Sequence, residues 1–242
     1  MVSKNQIKLI ISLQQKKFRQ EHQMFVAEGV KVISEFINSG FELLQLYTTD
    51  VTLFKNYQLH LIQIKEAELK KISALVNPNS CLAVFRIPNS SQFIDKGLIV
   101  ALDDIRDPGN LGTIIRLCDW FGVEQLICSE NTVDVYNPKV IQATMGSLSR
   151  VSIIYGDLAK MISFSNLPIF GTFMDGDSIY ENDLFADAIL IMGNESNGIS
   201  KEIEMLIQHK ITIPRFGSLQ KTESLNVATA TAIVLSEFKR KI

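Results

Sequence analysis

Leu98-Ile99-Val100-Ala101-Leu102 carries no polar side chain. A strand with one face on water alternates apolar and polar residues, so an unbroken run marks a strand covered on both faces. Further apolar stretches follow at 125–128, 151–154, 169–173 and 188–192, and helical spacing at 111–121, 138–147 and 200–207. Pro138 suits the first turn of its helix. A short strand at 211–213 precedes a long closing helix to Phe238, for which Ser224 or Thr222 is the candidate cap. Alternation of this kind predicts an α/β fold with a mostly parallel sheet and helices on both faces.

The first 86 residues are less regular. Helices are expected around Ile7–Leu13 and at 29–37, and strands at 24–27, 43–47, 59–64 and 82–85. The turn-rich stretch from Ile87 to Ser91 opens a linker that runs to about Gly97, which divides the chain into domains at 1–90 and 97–242. With 46% apolar residues there is material for a sizeable core. No apolar run reaches the ~18 residues of a membrane span, and no secretion signal is legible at the N-terminus. Cys81, Cys118 and Cys128 lack Cys-x-x-Cys spacing and read as reduced, buried thiols of a cytoplasmic protein.

Net charge is −2, which by itself argues nothing for nucleic acid. Its distribution says more: residues 1–20 hold Lys4, Lys8, Lys16, Lys17 and Arg19 and no acid. Such a patch on an otherwise acidic chain is a candidate phosphate footprint, with Lys16, Lys17 and Arg19 as its contacts. A solvated helix face explains the same charges.

Three Gly/Asn-rich segments open at the ends of apolar runs. They are Asp107-Pro108-Gly109-Asn110-Leu111-Gly112 through Arg116, Gly193-Asn194-Glu195-Ser196-Asn197-Gly198, and Ile213-Pro214 followed by Ser224-Leu225-Asn226-Val227. Glycine and asparagine accept positive φ and expose backbone amides, and α/β proteins bind ligands at the C-terminal ends of their strands. Singly, each segment has a plain reading: a turn before an exposed helical arginine, an ordinary loop, a capping or core asparagine. Other chemistries lack their motifs. No Gly-x-Gly-x-x-Gly, P-loop or Gly-x-Ser-x-Gly elbow occurs, and His22, His60 and His209 are too scattered for a metal site.

Taken together, the three segments in this order resemble the SpoU/TrmH-type RNA ribose 2′-O-methyltransferases of the SPOUT superfamily. Pro108, Gly109, Asn110, Gly112 and Arg116 match the first motif, Gly193 to Gly198 the second, and Ile213, Pro214 and Ser224 to Val227 the third. The resemblance spans about 97–240, and Phe25-Val26-Ala27-Glu28-Gly29 is similar to a ribosomal-protein-like RNA-binding domain that precedes such catalytic domains. It implies a parallel sheet with a C-terminal deep trefoil knot, S-adenosylmethionine as cofactor, a homodimer, and RNA as partner, ribosomal in preference to transfer RNA, without metal or membrane. Asn110, Arg116, Glu195, Ser224 and Asn226 would surround the acceptor nucleotide. Thr172, Phe173, Gly193, Asn194, Gly198, Ile213, Pro214 and Leu225 would hold the cofactor. In the closing helix, Leu225, Ala228, Ala232 and Leu235 are the expected contacts of the second copy. Arg215 stands where the family often has Met, and Gln142 where Arg is common. Base methylation and a non-catalytic RNA-binding role remain as rivals.

Overall fold

The structure is a computed structural model that describes residues 2–89, 92–217 and 224–240. The chain forms two compact units, Met1–Asn89 with Asp134–Ser149, and Ser90–Val133 with Arg150–Ile242. The segment 134–149, placed by sequence in the second domain, thus packs with the first.

The first unit contains a four-stranded sheet in the order β1 (Met24–Glu28), β4 (Cys81–Arg86), β2 (Leu43–Thr48), β3 (Leu61–Gln63). Only the β2–β3 pair is parallel. Alternate residues of β1 serve opposite faces, as a pleated strand requires. Val26 joins Leu82, Tyr47, Ile10 of helix α1 (Lys4–Ser12), Leu13 directly after that helix, and Leu69 and Ile72 of α4 (Glu66–Ile72). Phe25 instead meets Phe36 of α3 (Val30–Asn38) edge-on, stacks on Phe85 and packs against Tyr136 at 4.8 Å between ring centroids. Tyr136 comes from the returning segment, which continues into α6 (Pro138–Thr144) with Pro138 in its first turn. Met145 adopts φ +52 and ends that helix short of the expected 147.

Arg19 lies on α2 (Lys16–His22), a helix too short for its apolar period to announce it. Its side chain is only 2% exposed, paired with Asp134 and bonded through Nη1 to the Leu13 carbonyl at 2.8 Å. This corrects the expectation for Arg19: its donors are committed inside the fold and cannot meet phosphate. Lys16 and Lys17 are exposed.

In the second unit the sheet is wholly parallel, in the order β10 (His209–Thr212), β8 (Ile169–Ser178), β9 (Ala188–Met192), β5 (Leu98–Leu102), β6 (Gln125–Ser129), β7 (Ser152–Gly156). Every residue of the central strands β5 and β9 is buried, as their unbroken apolar runs require. Helix α5 (Pro108–Trp120) follows β5, and α7 (Leu158–Ser163) and α8 (Lys201–Glu204) are each under two turns. The closing helix α9 (Val227–Arg240) packs on α5. Its cap is Asn226, not Ser224: Asn226 Oδ1 accepts from the backbone N–H groups of Ala228 and Thr229 at 3.0 and 3.2 Å. Thr222 lies outside the described residues. Ala228 and Leu235 are buried within this unit, so neither is open to a second copy. All three cysteines are buried and free, and burial pushes the Cys81 thiol up to about 12.

Candidate active site

At the C-terminal ends of β9 and β10, beside Thr172 to Met174 in the middle of β8, lies a cavity of about 950 Å³. Its apolar wall comes from Met192, Ile211, Ile213, Leu225 and Val227, and its polar wall from the loop Gly193 to Gly198. That loop is a closed turn. Asn194 and Gly198 exchange backbone hydrogen bonds, and Gly198 adopts φ +68. Asn194 Oδ1 accepts from the N–H groups of Ser196 and Asn197, and its Nδ2 donates to the Asp104 carbonyl at 2.7 Å. Asn194 therefore spends its side chain on shaping the loop. Gly193 has a steric reason as well, since a Cβ there would collide with the backbone of Gly198 and Ile199.

The turn after β5 is tied to this loop. Asp103 Oδ2 accepts from Ser200 N–H at 2.7 Å. Asp107 caps α5 by accepting from Asn110 N–H at 2.8 Å, and Pro108 fills the first helical position, where no N–H is needed. The Asn110 side chain is then left for another partner. Its Nδ2 donates to Glu195 Oε1 at 2.5 Å, and its Oδ1 accepts from Asn226 Nδ2 at 2.9 Å. Three residues, one from each of the three motifs, thus form one hydrogen-bonded chain.

Of the predicted cofactor residues, Thr172, Phe173, Gly193, Asn194, Gly198, Ile213, Pro214 and Leu225 all line the cavity, as do Glu195 and Ser224. The Thr172 hydroxyl is spent on the Ile191 carbonyl at 3.3 Å. Lys210 Nζ sits 4.5 Å from the centroid of the Phe173 ring, and Glu204 beside it holds the Lys210 ammonium pKa above its usual range. Arg116 is not brought to the cavity. It stands six residues after Asn110, about 240° further round the helix, and is exposed with no partner among the described residues. Met174 and Phe216 also line the cavity, although nothing in their local sequence marks them, and Arg215 joins them directly after the Ile213-Pro214 motif. Asp103 and Asp104 carry no motif either, but their place directly after β5 is where such loops gather.

Residues 97–236 match the SpoU rRNA Methylase family, and residues 4–83 match an MRM3-like substrate binding domain. The chain belongs to the SpoU rRNA Methylase family. A protein from Porphyromonas gingivalis, described as an RNA methyltransferase of the TrmH family, is 35% identical with a TM-score of 0.92 and full coverage of both chains. An AdoMet-bound rRNA methyltransferase from Sinorhizobium meliloti is 28% identical with a TM-score of 0.89, covering 100% of this chain and 97% of that one. RlmP of Bacillus subtilis, a 23S rRNA (guanosine(2553)-2′-O)-methyltransferase, is 24% identical over 230 residues, 92% of this chain and 91% of the relative.

Proposed function

We propose that this chain transfers a methyl group from S-adenosylmethionine to a ribose 2′-OH of ribosomal RNA. The observation that carries this reading is the chain Asn226–Asn110–Glu195 at the rim of the cavity. It fixes polar side chains beside a pocket deep enough for an adenosyl group. The apolar wall suits an adenine, and the Gly193–Gly198 turn and the Ile213-Pro214 segment offer backbone groups to its polar edges.

When bound, S-adenosylmethionine supplies a sulfonium-activated methyl group. The protein's task is then placement of a ribose oxygen in line with that methyl, which alone can supply much of the rate. Asn110, Glu195, Ser224 and Asn226 hold the acceptor nucleotide. Arg116, exposed on α5, clamps RNA phosphate from outside its own cavity. Its guanidinium cannot serve as a base, because it stays protonated. The first unit supplies RNA affinity, with Lys16 and Lys17 among its phosphate contacts. The reading further includes a trefoil knot at the C-terminal segment, a symmetric homodimer and a cytoplasmic location. The dimer draws support from Trp120, a large apolar side chain left 84% exposed on α5.

The test is nucleoside mapping. Ribosomal and transfer RNA from cells lacking this gene are digested before and after incubation with the protein and labelled methyl donor. A 2′-O-methyl nucleoside gained in ribosomal RNA supports the reading. Gain in transfer RNA moves the substrate, a methylated base moves the chemistry, and cofactor binding without transfer leaves an assembly protein.

A further inference from the structure

We infer that Glu195 takes the proton of the ribose hydroxyl on its Oε2 while Asn226 and Asn110 hold the carboxylate in position. The inference rests on the methyl-transfer reading above and adds the group that completes it.

The first argument is elimination. Among the described residues lining the cavity, only Glu195 and Arg215 carry ionisable side chains. Arginine has no acceptor, and the hydroxyl and amide side chains present there are far weaker bases than a carboxylate. Arg116 does not line the cavity. Among the described residues lining the cavity, that leaves Glu195 as the group able to receive a proton.

The second argument is polarity of the hydrogen-bonded chain. Asn226 Oδ1 is fixed by two N–H groups of the first turn of α9. Its Nδ2 must therefore point away from the helix, and it donates to Asn110 Oδ1. That in turn directs Asn110 Nδ2 outward, onto Glu195 Oε1. Every donor in the chain runs from the helix towards Glu195, so the terminus has to be an acceptor. Only one carboxylate oxygen is used, and Oε2 has no hydrogen-bond partner among the described residues. Glu195 is also exposed, so RNA can reach it and water can relieve it of the proton.

The step balances. The ribose O2′ uses an electron pair to bond the methyl carbon, the sulfur–carbon bond breaks with its pair left on sulfur, and the O2′ proton passes to Oε2. A sulfonium and a carboxylate become a neutral thioether and a neutral acid. No free alkoxide forms, and opposite charges vanish together. The other charged groups on neighbouring elements are Asp103, Asp104, Arg106, Asp107 and Arg215, and Asp103 accepts from Ser200 N–H. Arg106 is paired with Asp104 and Asp107 caps α5.

Glu195→Gln tests this, because the amide oxygen still accepts from Asn110 but the side chain no longer takes a proton. Glu195→Asp retains an acceptor on a shorter arm. Each protein is titrated calorimetrically with S-adenosylmethionine, then followed through single-turnover methylation of ribosomal RNA from cells lacking the gene. For Glu195→Gln the expected result is unchanged cofactor binding and a rate lower by roughly 10²–10⁴. Its residual rate should climb about tenfold per pH unit as hydroxide replaces the missing base, while wild type stays level through the neutral range. Glu195→Asp should keep a wild-type pH profile at reduced rate. A Glu195→Gln rate within a few-fold of wild type overturns the inference. So does a slow Glu195→Gln with an unaltered pH profile, or a loss confined to cofactor binding. Failure of wild type itself to yield 2′-O-methyl nucleosides overturns the methyl-transfer reading instead.

Discussion

Arg19 Nε and Nη2 both donate to a single oxygen, Asp134 Oδ2, at 2.8 and 2.5 Å across 115 residues of chain. The other oxygen, Oδ1, accepts from Tyr136 N–H at 3.1 Å. Removing one partner of a buried pair leaves the other charge uncompensated, which costs about 3–5 kcal/mol. Arg19→Ala should therefore lower stability to urea by an amount in that range. A midpoint within error of wild type would show the pair to be dispensable.

Lys16 and Lys17 should behave differently from their neighbour. Both are exposed, so Lys16→Ala with Lys17→Ala should leave the urea midpoint unchanged. RNA affinity should fall, and the slope of log K against log salt should drop by about 0.7–0.9 for each phosphate that is no longer neutralised. Filter binding across a salt series reads this directly.

The fold of the second unit is largely legible in its sequence, because strands buried on both faces leave unbroken apolar runs. The short helices α2, α4 and α7 are not, since one or two turns give too few positions for a period to emerge. The burial of Arg19 has no local signal at all, as its partner follows only after β5, α5 and β6 in the chain. The site is legible in part. Gly/Asn loops at strand ends mark where it must lie, and the six-residue spacing of Asn110 and Arg116 already sets them on different faces of one helix. That Asn110 joins Glu195 to Asn226 depends on three separate strand ends meeting, which no single segment encodes. The cap of α9 falls two residues beyond the expected Ser224, because serine and asparagine are both good cap formers and local sequence does not choose between them.

Asn226 has two duties that one substitution separates. Asn226→Asp keeps the oxygen that caps α9 but loses the donor to Asn110. Thermal stability should stay within ~0.5 kcal/mol, against about 1 kcal/mol lost in Asn226→Ala. Methylation should fall by at least tenfold in both. Equal activity of Asn226→Asp and wild type would remove the link to Asn110 from the mechanism.

Arg116→Ala should leave S-adenosylmethionine binding within a few-fold and lower single-turnover methylation by roughly 10²-fold, because an unclamped phosphate lets the acceptor ribose drift from its in-line position. Arg116→Lys should rescue poorly, because an ammonium lacks the planar fork. Mixing Arg116→Ala with Glu195→Gln then asks whether the arginine serves a neighbouring cavity. Recovery of activity in the mixture requires that it does.

Trp120 is the sole tryptophan of the chain. At 84% exposure in one copy it should emit as a solvated indole. If α5 lies in a symmetric interface, emission should shift to the blue with rising protein concentration, in step with light scattering that reports twice 27.2 kDa. A red emission at every concentration, with monomer mass, would exclude α5 from any interface between copies.

The packing of Asp134–Ser149 with Met1–Asn89 has a consequence for synthesis. A chain leaving the ribosome at ~5–20 residues per second presents Arg19 roughly ten seconds before Asp134 exists to neutralise it. During that interval the first unit lacks Tyr136 beside Phe25 as well. The unit that begins the chain therefore cannot finish folding first. It must wait, partly open and with an unpaired cation, until β5 and β6, the first two of the second sheet's six strands, have been made.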